Sequence, residues 1–432
     1  MKYIDTNAVK LRIKAILPML NEYQRRRYLS AEAKFLGRDG IHIVEQISGV
    51  SQQTLMNGIK ELGYAEAEIV VRVISKRHNA QDFRSNGSLD DSTIKSLIDS
   101  ARKAPSAKNR QPWKFRVVNE KAKIIELSNT ITELNTDDSG NTAIDKNSIT
   151  ALRNASTVLF VMYDEDSKSE YRISDYLSVG ACVENLIIQA TAQGIASFWM
   201  CDIPLNMRDS LKELFQLPFD FAAVILLGKQ ENCGCVIPEK MKTAQSQLDI
   251  ECQIVAQVIS KRHSTRNFKS DVVLDEPTIK SLIDATEKAP SAENRQPCKF
   301  HIINDKEEII ELSKKMTALN NDGSGRLIID QNSIAALRNA STVLFVLYDN
   351  DDNPDYKSSD YLFIGACVEN LIIQATAQGI DSLWMGDPLA RHDELKEYLE
   401  LPFDFVSVVL LGEQDYCKCV TKKSLEEICI WD

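Results

Sequence analysis

The chain has 432 residues, 44% of them hydrophobic and 26% charged, with a formal net charge of −11. That length allows two or three domains, and that composition is ordinary for a globular protein with sizeable cores. No apolar run reaches the roughly 18 residues that cross a bilayer, and the opening "MKYIDTNAVKLRIKAILPML" alternates charged with apolar residues, so neither a membrane span nor a secretory leader is expected and the expected address is cytoplasmic.

The charge is uneven. Residues 1–63 carry ten Lys/Arg against six Asp/Glu, a net of +4, which leaves −15 for the remainder. A mildly basic head on an acidic body suggests that the head meets a polyanion, although a solvated helical face gives the same balance. Within residues 40–62, Ile43, Val44, Ile47, Val50, Leu55 and Ile59 have helix–turn–helix spacing, with Gly49 in the turn and Ser51 capping the second helix. The wider stretch resembles the N-terminal region of certain insertion-sequence transposases, without a transposase catalytic domain after it. The resemblance implies duplex DNA as a partner of residues 25–62. Gln52, Gln53, Asn57 and Lys60 would face bases, and Arg25, Arg26, Arg27 and Arg38 phosphates. A helical bundle used for packing or dimerisation fits the same pattern.

Beyond the head the chain repeats itself. "APSAKNRQPWKF" (104–115) returns as "APSAENRQPCKF" (289–300), and "LRNASTVLFVMYD" (152–164) as "LRNASTVLFVLYD" (337–349). "GACVENLIIQATAQGI" recurs unchanged at 180–195 and 365–380, all at an offset of 185, which drops to 184 after Trp199 and Trp384. So long a period means two duplicated domains, and the expected division is 1–65, 66–245 and 246–432.

Each copy follows one course. A helix (about 66–77, or 251–262) leads into a basic octapeptide, "KRHNAQDF" (76–83) or "KRHSTRNF" (261–268). "DSTIKSLIDSARKA" reads as a second helix capped by Asp90 or Asp91 and stopped by Pro105. "KFRVV", "TVLFVMY" and "FAAVILLG" read as buried strands, and a helix from about Ile173 to Gln193 ends at Gly194. That helix is apolar nearly all round, and Gly180, Ala181, Gly365 and Ala366 permit close approach of its two copies about a pseudo-two-fold axis. The expected fold is α+β: two tandem three-layer domains, each a mixed sheet flanked by helices, forming an intrachain pseudo-dimer behind a small all-α helix–turn–helix domain.

Four motifs in order, twice, resemble the nitroreductase family of FMN-dependent oxidoreductases over about 68–240 and 253–425. They are Arg-His-Ser-x-Arg-x-Phe, Ala-Pro-Ser-x-x-Asn-x-Gln-Pro-Trp, a Gly/Ala-rich helix with Glu-Asn-Leu, and Gly-Ile followed by Trp. The resemblance implies two flavin sites across the pseudo-dimer interface. Site A would combine Arg262, His263, Ser264 and Arg266 with Pro105, Ser106, Asn109 and Gln111. Site B would combine Arg77, His78, Asn79 and Gln81 with Pro290, Ser291, Asn294 and Gln296. Guanidinium groups and hydroxyls suit the phosphate and ribityl oxygens of FMN, and Asn and Gln amides suit its ring edges. Asn79 and Gln81 replace a Ser and a cation. Loss of one charge-assisted contact costs about 1.5–3 kcal/mol, tenfold or more in affinity, so site A is expected to hold FMN tightly and site B weakly or not at all.

Gly386 keeps a glycine whose backbone would approach the flavin ring, whereas Cys201 stands at the corresponding place. Lys240 or Lys242, and Lys422 or Lys423, are the candidate basic residues near each domain's end, and Trp113 becomes Cys298 as a packing change. The activity implied is NAD(P)H oxidation coupled to reduction of a nitroaromatic, quinone or other conjugated electrophile, with no dedicated catalytic nucleophile and no resident metal. There is no Gly-x-Gly-x-x-Gly, so no separate nicotinamide domain is expected. Two alternatives stay open: a flavin- or redox-sensing regulator acting through the head, and a degenerate pseudo-enzyme. The pairs Cys233/Cys235 and Cys417/Cys419 read as a metal site, a redox-active pair or ordinary loop cysteines. Further self-association beyond the pseudo-dimer is left open.

Overall fold

The structure is a computed structural model; it describes residues 6–36, 39–85, 87–135, 144–163, 172–200, 203, 205–230, 241–320, 329–350, 357–414 and 422–431. The chain forms two compact units, one of residues 1–69 with 377–379, the other of residues 70–376 and 380–432.

The smaller unit is helical: α1 (Thr6–Ile16), α2 (Glu22–Leu36), α3 (Gly40–Ser48) and the start of α4 (Gln52–Lys76). Val9, Ile13, Leu29, Ala33, Val44 and Leu55 form its core. Gly49 closes α3 in the left-handed region at φ 74°, and Ser51 Oγ accepts a hydrogen bond from Thr54 N at 3.2 Å, as the sequence suggests. α4 differs from expectation. It continues to Lys76 as one helix where two were expected, because the polar stretch between them holds a single Gly63 and no proline.

The larger unit carries the duplication. Its first half comprises α5 (Asp91–Ala101), β1 (Trp113–Val118), α6 (Lys121–Leu134), α7 (Lys146–Asn154), β2 (Thr157–Tyr163), α8 (Arg172–Ala192), β3 (Ala196–Met200), α9 (Leu205–Leu214) and β4 (Asp220–Gly228). α10 (Met241–Lys261) joins it to the second half. There follow α11 (Glu276–Thr286), β5 (Cys298–Ile303), α12 (Lys306–Leu319), α13 (Gln331–Asn339), β6 (Thr342–Tyr348), α14 (Lys357–Ala377), β7 (Asp381–Met385), α15 (His392–Tyr398), β8 (Asp404–Gly412), α16 (Leu425–Ile428) and β9 (Cys429–Trp431). Asp90 and Asp275 cap α5 and α11 by accepting from Thr93 N and Thr278 N.

Side-chain alternation builds three layers in each half. Along β2, Leu159, Val161 and Tyr163 face the core that also contains α5 and α8, whereas Val158, Phe160 and Met162 face α6, α7 and α9. β6 repeats the pattern, with Leu344, Val346 and Tyr348 on one side and Val343, Phe345 and Leu347 on the other. The inner faces of both sheets belong to one continuous core, with α8 and α14 at its centre. A Cβ on Gly180 would strike the backbone oxygen of Leu362, and a Cβ on Gly365 that of Leu177. The two helices therefore cross backbone to backbone, at the small residues the sequence marks.

The sheets are not equivalent. The first has the order β3-β4-β2-β1-β9 and the second β5-β6-β8-β7. β9 lies parallel to β1, Phe115 opposite Cys429 and Val117 opposite Trp431, so the second half's last strand completes the first half's sheet. Only this first sheet is mixed; among the described residues the second is wholly antiparallel, which corrects the expectation of two mixed sheets. The physical reason lies in α10. At the offset of 184, the counterparts of Cys429, Ile430 and Trp431 are Gln245, Ser246 and Gln247, polar residues inside the joining helix. Helix α10 thus begins ten residues before the expected start at 251, and among the described residues no strand pairs with the outer side of β5.

Gly365→Val is expected to lower stability by about 3 kcal/mol or more, because the new side chain meets a backbone oxygen that cannot turn aside. A denaturant midpoint close to wild type would refute the backbone-to-backbone crossing.

Candidate functional site

Both octapeptides are held by the same device. Phe268 (4% exposed) packs on Gly412, where a Cβ would come within 2.9 Å of the ring; Phe83 does the same on Gly228 at 2.8 Å. Thr265 N donates to Ser382 O at 2.9 Å, and Ala80 N to Ser197 O at 2.9 Å. The second octapeptide therefore lies along β7, which runs directly into Gly386, and the first along β3. This settles which octapeptide goes with which glycine position, a point the sequence leaves open.

Each octapeptide reaches into the opposite half. Arg262 Nη2 donates to Lys103 O at 3.1 Å, beside the loop of Pro105, Ser106, Asn109 and Gln111. Arg77 Nε and Nη2 donate to Lys288 O at 3.1 and 2.7 Å, beside the loop of Pro290, Ser291, Asn294 and Gln296. In each combination implied by the resemblance, the fold brings the octapeptide's first arginine to the start of the opposite loop. Neither arginine stands open on the surface: Arg262 is 8% exposed, and its Nε is buried without a partner among the described residues. His263 Nδ1 donates to Lys261 O at 2.9 Å and Nε2 meets the Gln414 amide at 2.8 Å; His78 repeats this with Lys76 O and Gln230. Both histidines therefore fasten the octapeptide to its own half. Ser264 and Arg266 are exposed, with side chains that have no partner among the described residues. Asn79 Oδ1 accepts from Trp199 N at 3.4 Å and Gln81 Nε2 donates to Ser148 Oγ at 3.2 Å.

The two amide loops share an unusual backbone. Lys108, Asn109 and Gln111 have φ of 51°, 55° and 50°; Glu293, Asn294 and Gln296 have 52°, 56° and 51°. Three non-glycine residues in the left-handed region within four positions is a costly conformation, held by surrounding contacts. Ser106 Oγ accepts from Gln111 N at 3.0 Å, and Ser291 Oγ from Gln296 N at 3.3 Å. Asn109 is half-buried; Pro105 is buried and Pro290 half-buried. Gln111 is 3% exposed, its Oε1 accepting from Lys423 N at 2.7 Å and its Nε2 donating to Asn109 O at 3.3 Å. It supports the loop. Gln296 is exposed and donates to Asn294 Oδ1 at 2.9 Å.

Two lysines reach the first amide loop. Lys422 Nζ donates to Ala104 O at 2.6 Å, and Lys423 Nζ to Arg110 O and Gln111 O, each at 2.9 Å. At the offset of 184 their counterparts are Pro238 and Glu239. These two, Lys240, Cys201 and the pairs Cys233/Cys235 and Cys417/Cys419 lie outside the described residues, as does the side chain of Lys242. By position, then, Ser264, Arg266, Gly386, Lys422 and Lys423 accompany the first loop. Asn79 and Gln81 accompany the second; the sequence counterparts of Gly386, Lys422 and Lys423 are Cys201, Pro238 and Glu239.

Behind the sites is a dry polar cluster that the motif-by-motif reading gave no role. Glu184 and Glu369, from α8 and α14, are both 0% exposed, with no hydrogen-bond partner for either oxygen among the described residues. Glu184 Oε1 lies 3.9 Å from Arg77 Nε, and Glu369 faces Arg262 and Lys422. Burial pushes each carboxyl up to about 7, against the pull of Arg77 on Glu184 and of Arg262 on Glu369. Burial, followed by repulsion from Arg262, pulls Lys422 down to about 8. The signal was present in the sequence: a charged Glu-Asn pair inside a helix otherwise apolar on all sides.

The chain belongs to the nitroreductase family, whose model matches residues 74–229 and again 259–413. An Archaeoglobus fulgidus protein provisionally named NADH dehydrogenase/NAD(P)H nitroreductase is 30% identical over 165 residues, 36% of this chain and 82% of that relative. Among solved structures, a nitroreductase with bound FMN from Desulfitobacterium hafniense is 23% identical, covering 40% of this chain and 95% of that one with a TM-score of 0.32. An FMN-dependent nitroreductase from Clostridium difficile is 20% identical, covering 37% and 88% with a TM-score of 0.30.

Glu184 and Glu369 have raised values in the folded state, so the stability they confer is full below their ordinary value of 4.5 and is lost as pH rises through about 7. The denaturation midpoint is accordingly expected to be higher at pH 5.5 than at pH 7.5. The double variant Glu184→Gln/Glu369→Gln should flatten that slope; an equal slope in both proteins would show that other groups set it.

Proposed function

We propose that the protein is an FMN-dependent NAD(P)H oxidoreductase with one working flavin site per chain, site A. The observation that carries this reading is the one-sided distribution of cations. Arg262, Arg266, Lys422 and Lys423 all accompany the first amide loop, and the positions matching Arg266, Lys422 and Lys423 on the other side are Gln81, Pro238 and Glu239. The residues present fit FMN. The buried Nε of Arg262 has no partner among the described residues, and Ser264 and Arg266 stand free beside it in sequence. Family membership and the name of the Archaeoglobus fulgidus relative support the redox activity and the nicotinamide donor.

When bound, FMN supplies a ring that accepts two electrons from a nicotinamide and returns them to an acceptor such as a quinone or nitroaromatic. The chain's own residues bind and orient. Lys422, Lys423 and Arg262 offer cations to the phosphate, Ser264 a hydroxyl to the ribityl chain, and Arg266 a positive charge that favours a reduced, anionic ring edge. Asn109, fixed at φ 55°, offers its amide to the ring. Gly386 leaves the backbone after β7 bare, with only Ser174 Oγ (3.5 Å) near the place of a Cβ. No side chain is needed as a nucleophile, so positioning and electrostatics provide the acceleration.

The purified protein is expected to bind close to one FMN per chain and to oxidise NAD(P)H in the presence of a quinone. Arg266→Ala should weaken FMN binding tenfold or more, in line with the loss of about 1.5–3 kcal/mol for a charge-assisted contact, whereas Gln81→Ala should change it little. Two FMN per chain with equal affinity would overturn the one-site reading.

The turn at Gly49 between α3 and α4 supports a second, separate proposal, that residues 25–62 bind duplex DNA. Arg25, Arg26 and Arg27 lie on α2, Gln52, Gln53 and Asn57 on the first turns of α4, and Arg38 lies outside the described residues, as does the Lys60 side chain. Gln52 and Gln53 are at present bonded to Glu45 (2.5 Å) and Asn57 (3.0 Å) within the head. The proposed division of the chain remains 1–65, 66–245 and 246–432. Anisotropy of a labelled duplex should show binding that weakens steeply with salt; no binding at low salt would remove DNA from the account.

A further inference from the structure

We propose that Glu369 is the built-in counter-charge of the flavin phosphate site, taking up a proton from solvent when a phosphate dianion settles beside Arg262 and Lys422. This rests on the reading of site A given above and concerns how that site receives its anion.

The geometry supplies the reason. Arg262 and Lys422 are cations brought together from two distant segments, after α10 and before α16. They meet at neighbouring carbonyls, Arg262 Nη2 at Lys103 O (3.1 Å) and Lys422 Nζ at Ala104 O (2.6 Å), Arg262 buried and Lys422 half-buried. Two like charges so placed need an opposite one, and Glu369, 0% exposed with both oxygens unpartnered among the described residues, is the carboxylate that faces them. The groups around Glu369 come from every neighbouring element: Arg262 from the octapeptide, Lys422 from the segment before α16, and Glu184, Cys182 and Asn185 from α8. Lys103 stands behind Lys422. Asn185 lies beside Glu369 but outside good hydrogen-bond geometry, and both carboxylate oxygens are without partners among the described residues. Burial and Glu184 favour the neutral form of Glu369, and Arg262, Asn185 and Lys422 favour the charged one.

A phosphate dianion changes that balance. It draws on the same cations and adds negative charge close by, so the charged form of Glu369 loses its support. The carboxylate then binds one proton and becomes a neutral acid, and the site's net charge changes by less than the two units the phosphate brings. Protonated Glu369 and bound phosphate favour each other, so FMN affinity rises as pH falls from about 8 towards about 6.5. The limit for a single proton is tenfold per pH unit. Burial raises the Glu369 carboxyl towards neutrality against the pull of Arg262, and burial lowers Lys422, so a bound anion shifts Glu369 further towards its protonated form.

The test is calorimetric titration of FMN into flavin-free protein at pH 7.0, in two buffers of different ionisation enthalpy. Wild type is expected to take up a measurable fraction of a proton per FMN bound. Glu369→Gln is expected to take up less, the remainder belonging to Lys422, which the lost carboxylate no longer holds up, and to show a flatter dependence of Kd on pH between 6.5 and 7.5. Riboflavin, which has the ring and ribityl chain without the phosphate, is expected to bind with no uptake. FMN binding in wild type with identical apparent enthalpy in both buffers would overturn the proposal without recourse to any variant. So would full uptake in Glu369→Gln, or equal uptake with riboflavin. Failure of FMN to bind at all would instead remove the flavin reading of site A on which this one stands.

Discussion

The crossing of α8 and α14 at Gly180 and Gly365 is the constraint on which the rest depends. Each glycine leaves room for a backbone oxygen of the opposite helix where any side chain would collide. With the helices this close, the inner faces of two sheets share one core, and the halves cannot be separated without opening it. The same closeness sets the reach of the octapeptides. Arg77 and Arg262 arrive at the carbonyls of Lys288 and Lys103 because the helix pair brings the opposite half within one side chain's length. It also buries Glu184 and Glu369 completely, where their charge depends on a few named neighbours.

Duplication within one chain has freed the two sides to differ. In an assembly of identical subunits, every change on one side appears on the other. Here one side could lose its cations while the other kept them, and Gln81, Pro238 and Glu239 record that divergence. The sheets differ in the same way. One crossing strand survives as β9, and its counterpart became part of α10, the helix that joins the halves. β5 is left with a bare edge on which Ile302 is 42% exposed, and Lys299 on that strand is a charge of the kind that discourages edge pairing.

Much of this was legible in the residues. The repeat located both halves, hydrophobic content located six of the strands, and Gly180 with Gly365 marked the helix crossing. The pairing of octapeptides with amide loops came from the family resemblance, and Arg262 at Lys103 O and Arg77 at Lys288 O lie next to the loops it named. Three things were hidden. β9 has only three residues, and its pairing depends on a partner far off in sequence, which no local pattern records. α4 hides a boundary inside a helix, since helical propensity does not change where one packing environment gives way to another. Gln111 carried the expected residue type for a ligand but points its amide at Lys423 and Asn109, a choice made by the strained loop rather than by composition.

The parallel pairing of β9 with β1 has a consequence for how the molecule is made. Gln111 and Lys423 meet across 312 residues of sequence, so the first sheet and its lysine clasp stay unfinished until the whole second repeat has left the ribosome. The earlier repeat must wait during synthesis with one flank uncovered, and pairing between segments so far apart is slow to form. Until that segment arrives the loop lacks its clasp, and one short ribbon both seals the sheet and fastens the Gln111 loop.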